Sequence, residues 1–263
     1  MPPRFLDRLR QGEGISRGVP ESYGSTPRQV GEWWSPPESF AGRRPLVVLV
    51  HGGYWRADYD LHLQDAVAED LATRGFLVWN IDYAPSSDPW PATLIDAAAA
   101  YDFAFVGTHA SRIDRRRIAV VGHSAGGHLA LWLASRSRLP IGAPGASPHI
   151  RPTLAVAQAP VADLEQAADL HLGADAVSAL LGGSPTQLPA RASVADPTAL
   201  APSGVRTVLI HSRDDDIVPM SQSTRYLAVA RDCTLEQVAG DHFVHLDPAS
   251  EAGRALRAAL GSL

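Results

Sequence analysis

The run "VVGHSAGGHLA" constrains this chain more than any other stretch. It sets G-x-S-x-G at Gly122, Ser124 and Gly126, between a strand-like segment, "RIAVVGHS", and a helical one that starts near Ala125. A serine on so sharp a strand-to-helix turn takes a strained backbone conformation, and side chains at the flanking positions would collide with the strand and the helix. Glycine fits there. The hydroxyl is then presented at a helix N-terminus, whose dipole favours developing negative charge. A five-residue match alone is common, and the strand before and helix after are what make Ser124 a candidate nucleophile. His128, one turn further along the same face, points into the helix–sheet packing and reads as a satisfied core histidine.

Around this turn, short β-rich runs alternate with helical patterns, the mark of an α/β chain with a mostly parallel sheet. "PLVVLVHGG", "FLVWNIDY", "TLAVAQAP", "RTVLIHS" and "TLEQVAG" read as further strands, and "RQVGEWWS" as one pairing at an edge. Apolar residues on both faces of the first of these predict a strand buried on both sides. "LHLQDAVAEDLATRG" has helical spacing with Gly75 as its stop, and Pro91 opens another helix. Further helices are expected around 175–181, 220–231 and 250–260. Two stretches break the rhythm. "RLPIGAPGASPHIRP" is a Pro/Gly-rich surface loop. The region from Val161 to Gly204 holds one helical pattern among turns and is too long for a simple connection, as lids and pocket walls often are. It is kept within a single domain over residues 1–263, of which 1–22 form an N-terminal extension.

Acyl transfer through a serine builds an oxyanion, which needs donors held ready for it. The N–H of Ala125, just after the serine, is one. The loop "HGGYW" supplies the others, because Gly52 and Gly53 let their N–H groups approach a substrate oxygen closely. Tyr54 and Trp55 leave the sheet at the pocket rim, where flat apolar surface suits substrate contact by at least one of them. His51 is expected to anchor the loop by hydrogen bonding.

A serine hydroxyl also needs a base. His242, just past the strand "TLEQVAG", can hang over Ser124, with His245 as its competitor. The orienting acid belongs after "RTVLIHS", where Asp214, Asp215 and Asp216 compete. His109, His149, His171 and His211 have no motif around them. No metal is expected, since the pair His242/His245 lacks a third ligand on a regular element.

Composition excludes other classes. A net charge of −5 without a basic block argues against nucleic acid, and no apolar run is long enough to span a membrane. One cysteine, Cys233, rules out an intramolecular disulfide framework, and "MPPRFLDRLRQGEG" does not read as a secretory signal. The expectation is a soluble, cytoplasmic protein.

Taken together, "HGGYW", "GHSAGGHLA", "APVADL", "DDDIVP" and "DHF" resemble the α/β-hydrolase superfamily, and within it the branch of kynurenine formamidases (arylformamidases) and hormone-sensitive-lipase-like esterases. The resemblance runs from about Tyr23 to the C-terminus. It implies an α/β-hydrolase fold, with a sheet of about eight strands, helices on both faces, a small cap and no cofactor. It places the nucleophile on Ser124, the acid on Asp215, the base on His242 and the oxyanion donors on Gly52, Gly53 and Ala125. The chain departs from the pattern at "HS" (His211, Ser212), where His-Gly is usual, and at "DYAP". The implied activity is a serine hydrolase acting on a small acyl ester or an aryl formamide, with no nucleic-acid or membrane partner. The contrasting class is a non-catalytic ligand-binding protein on the same fold.

Overall fold

The computed structural model describes residues 18–40 and 42–263. Most of the expected N-terminal extension, including the segment judged for a secretory signal, lies outside the described residues. Eight strands form one sheet: β1 (Val19–Ser22), β2 (Val30–Trp34), β3 (Arg44–Val50), β4 (Leu77–Ile81), β5 (Ile113–His123), β6 (Leu154–Gln158), β7 (Arg206–Ser212) and β8 (Cys233–Val238). Their order is β1-β2-β4-β3-β5-β6-β7-β8. From β4 to β8 every pairing is parallel, while β1–β2 and β2–β4 are antiparallel. The segment "RQVGEWWS" is therefore not the edge. The four-residue β1, drawn from the end of the expected extension, covers it.

The unbroken apolar runs follow from burial on both faces. In β3, Leu46, Val48 and Val50 join one core cluster, and Val47 and Leu49 join another across the sheet. Helices α1 (Asp65–Thr73) and α9 (Glu251–Leu260) pack on the second side, and α2 (Ala92–Phe103) and α3 (Ala125–Ser135) on the first. Gly75, at φ +95°, ends the turn after α1, as its place in the sequence suggests.

The region from Val161 to Gly204 corrects the expectation of a single helix. It holds four short ones: α4 (Leu164–Asp169), α5 (Ala176–Leu181), α6 (Pro189–Ala195) and α7 (Pro197–Leu200). Asp163 caps α4 by accepting from Gln166 N, and Asp196 caps α7 by accepting from Thr198 N. The region is tied to α3 by two buried donors, His128 Nε2–H to Ala195 O at 2.9 Å and Trp132 Nε1–H to Val194 O at 2.8 Å. His128 is thus a core histidine, and burial holds its pKa down at about 4. The last helix before α9 is α8 (Ser221–Val229).

Candidate active site

The turn between β5 and α3 has the strain that its sequence demands. Ser124 sits at φ 58°, ψ −120°, a region that L-residues rarely occupy. A Cβ on Gly122 would lie 2.0 Å from Gly126 O, and one on Gly126 would lie 2.1 Å from Val50 O. Neither position accepts a side chain without moving backbone. The serine itself is 2% exposed and opens onto a cavity.

The loop after β3 lies directly against this turn. A Cβ on Gly52 would stand 2.8 Å from His123 O and 3.0 Å from Ser124 Cβ, so glycine lets the two backbones touch. Gly53 takes φ +108°, with the Tyr59 ring packed against it. His51 anchors the loop as expected, its Nε2–H donating to Asp82 Oδ1 at 3.0 Å while its ring stacks on Tyr83. Across the turn, Ala125 is the first residue of α3, and its N–H has no partner within the helix. Loop and helix start thus flank Ser124.

Of the three aspartates after β7, Asp214 and Asp216 are exposed. Asp215 turns inward, its side chain 1% exposed. Its Oδ1 accepts from the N–H groups of Ile217 (3.0 Å) and Val218 (2.8 Å). Its Oδ2 accepts from His242 Nδ1–H at 2.7 Å. Burial alone would raise the pKa of Asp215, but hydrogen bonds from His211 and His242 and the charge of His242 outweigh it and hold the carboxyl far below the usual range. His211, which has no motif around it, is therefore part of the site. Its Nε2–H donates to Val218 O at 2.9 Å and lies 3.4 Å from Asp215 Oδ2, while its Nδ1 accepts from Ser223 Oγ–H at 2.7 Å.

His242 and Ser124 line the same cavity of about 250 Å³. Among the described residues no hydrogen bond joins Ser124 Oγ to His242; empty sites often hold such contacts long until substrate is present. His245, the competing base, is fully buried, with Nε2 3.4 Å from Ser212 Oγ; burial and the neighbouring charges of His242 and His211 push its pKa down to about 3. His123, the variable residue ahead of Ser124, also lines the cavity, and its Nε2–H donates to His242 O at 2.9 Å. It braces the backbone of His242 from the Ser124 turn, a link hidden in the variable position of the motif.

Tyr54 and Trp55 part company. Tyr54 lines the cavity, its hydroxyl donating to Ile217 O at 3.1 Å and its ring packed on Gly173. Burial and the charge of Asp215 raise its pKa to about 12, against the opposing field of Arg56. The expectation of substrate contact at Trp55 is corrected: it is 0% exposed, with its ring edge-on to His128 at 5.1 Å. At φ 55° the backbone turns it under the loop, into the core. The wall also includes Arg56, Tyr59, Leu63, Phe243 and Leu246. Away from that wall, Glu32, His62 and Asp65 bring three potential ligand atoms within 4.8 Å of one another.

The BD-FAE family model matches residues 35–228, most of the chain, from ahead of β3 into α8. The chain belongs to the BD-FAE family. Its relatives include esterase LipC of Mycobacterium tuberculosis, 34% identical over 109 residues, which are 41% of this chain and 27% of that protein. Carboxylesterase NlhH of the same organism is 33% identical over 141 residues, 52% of this chain and 41% of the relative. The matches thus span well under half the length of these curated relatives. In three dimensions the chain is similar to a truncated carbohydrate esterase from gut microbiota (TM-score 0.81, 18% identity, 95% of this chain and 97% of the other). It is also similar to esterase B from Lactobacillus rhamnosis, with a TM-score of 0.78, 18% identity and coverage of 98% and 91%. The fold of this BD-FAE member is that of the α/β-hydrolases. Among the described residues no helix is long and apolar enough to cross a membrane.

Proposed function

We propose that this protein is a serine hydrolase that cleaves small carboxylic esters through an acyl-enzyme. Ser124 is the nucleophile. His242 takes its proton and passes it to the leaving group, and Asp215 fixes the Nδ1–H tautomer that leaves Nε2 free for this work. The N–H groups of Ala125 and the Gly52–Gly53 loop receive the oxyanion, at the positive end of α3. The observation that carries this reading is the 2.7 Å bond from His242 to a buried Asp215, on the wall of the cavity into which Ser124 opens. Esterase names among the relatives support the ester class.

The cavity of about 250 Å³ suits a short acyl group. An aryl formamide is the alternative substrate. Its one-carbon acyl group asks least of that volume, and Tyr54, Tyr59 and Phe243 offer an aromatic leaving group flat surfaces. The region 161–204 serves as a pocket wall, reaching the cavity at Gly173.

Rates on 4-nitrophenyl acetate, butyrate and hexanoate, and on N-formylkynurenine, test this. Wild type is expected to turn over the short esters, with Ser124→Ala lower by about a millionfold, since such residues act as a unit. Wild-type rates in that variant, or no turnover of any of these substrates, would overturn the reading.

A further inference from the structure

The cavity beside Ser124 is lined by aromatic and aliphatic side chains, two histidines and one permanent cation, Arg56. No acidic residue lines it. Asp215, bonded to the cavity's His242, is committed to His242, Ile217 and Val218. Among the described residues Arg56 makes one side-chain hydrogen bond, from Nη2–H to Gly173 O, and forms no ion pair. That single bond steadies the guanidinium at the mouth of the cavity and leaves its other donors available. Elsewhere, Arg28, Arg74, Arg117, Arg136, Arg225 and Arg257 form ion pairs with aspartates, and others such as Arg44, Arg151 and Arg191 donate to backbone carbonyls away from the cavity.

A planar fork of donors held beside an apolar cavity matches a carboxylate, which can accept two parallel N–H bonds. We infer that Arg56 makes this site selective for substrates that carry a carboxylate besides the scissile ester or amide. The inference rests on the serine-hydrolase reading and narrows it. Arg56 touches the substrate's distal anion, while Ser124, His242 and Asp215 carry out the bond cleavage. The carboxylate belongs either to the acyl group or to the leaving group, and the experiment below separates the two.

Two matched pairs are compared by kcat/KM at low salt. Mono-4-nitrophenyl adipate and its methyl ester place the charge on the acyl side. 4-Acetoxybenzoate and its methyl ester place it on the leaving group. One pair is expected to favour the anion by about tenfold, the gain typical of a charge-assisted hydrogen bond in a partly shielded site. In Arg56→Gln that ratio falls to near one, and in Arg56→Lys part of it survives. Because the readout is a ratio, a general loss of activity from loosening the Gly173 contact cancels. Raising the salt is expected to shrink the preference in wild type, since the pair is open to solvent. Equal rates within both pairs, or a preference that persists in Arg56→Gln, would overturn the inference while leaving the hydrolase reading intact. No turnover of any of the four esters would overturn both.

Discussion

The floor of the cavity and its roof are built differently. The floor is backbone on backbone: Gly122 against Gly126, Gly126 against Val50, Gly52 against the Ser124 turn, all at the C-terminal edge of β3 and β5. No side chain can relax there. The roof is where the 161–204 region reaches the cavity at Gly173, and that region is made of helices of four to seven residues that are too short to be stable alone. It is held by side chains: the caps Asp163 and Asp196, the donors His128 and Trp132 from α3, and Arg56 and Tyr54 at Gly173. The contrast separates two tasks. Positions of reacting atoms, where an ångström matters, are set by main chain. Fit to a particular substrate is left to side chains, which can change without disturbing the chemistry.

With Ser124 and His242 kept, the largest loss of activity is expected beside the floor, at the acid behind His242. Asp215→Asn keeps the shape but removes the acceptor that fixes the His242 tautomer, so kcat should fall by about 10⁴-fold. Steady-state rates check this, and a drop under tenfold would mean that the Asp215–His242 bond is not part of the catalysis. For stability, Gly126→Ala is expected to cost about 3 kcal/mol or more, because its Cβ meets a carbonyl at 2.1 Å. In the roof, Gly173→Ala puts a side chain at positive φ, +60°, and its new methyl presses on the Tyr54 ring, a side chain rather than backbone. About 1 kcal/mol of stability should be lost there, with the change in activity falling on KM. Denaturant melts of both variants test the contrast, and equal losses would erase it.

Acid should weaken both layers through buried histidines. His123 and His245 in the floor, and His128 beneath the roof, have pKa values pulled below the ordinary histidine value by burial. The unfolded chain therefore binds protons near pH 6.5 that the folded chain refuses. Stability is full above that pH and is lost as pH falls towards about 4, by up to about 1.4 kcal/mol per pH unit for each such group. Melting temperatures between pH 7.5 and 4.5 check the sign. His128→Gln should flatten the curve most simply, as His128 lies outside the cavity lining and no other histidine acts on its pKa.

The parallel strands were legible because burial on both faces writes an unbroken apolar run, and the turn at Ser124 because only glycine survives beside it. The choice among Asp214, Asp215 and Asp216 was not legible from the residues. All three share a turn, and what separates them is which one points at His242. Tyr54 and Trp55 were indistinguishable for a similar reason, since two adjacent positive-φ residues send one ring to the cavity and the other to the core. His211 was passed over because its partner stands four positions on, across a loop that carries no periodicity. In the roof, α5 answers the pattern expected over 175–181, whereas α4, α6 and α7, like β1, show no legible period in four to seven residues.

The central claim is that one acyl group passes through Ser124 Oγ. Intact-mass and peptide mass spectrometry after treatment with a fluorophosphonate measures this directly. The account predicts a single adduct on the Ser124 peptide, abolished in Ser124→Ala and much slowed in Asp215→Asn. An adduct on another residue, or folded wild-type protein that stays unlabelled, would contradict it.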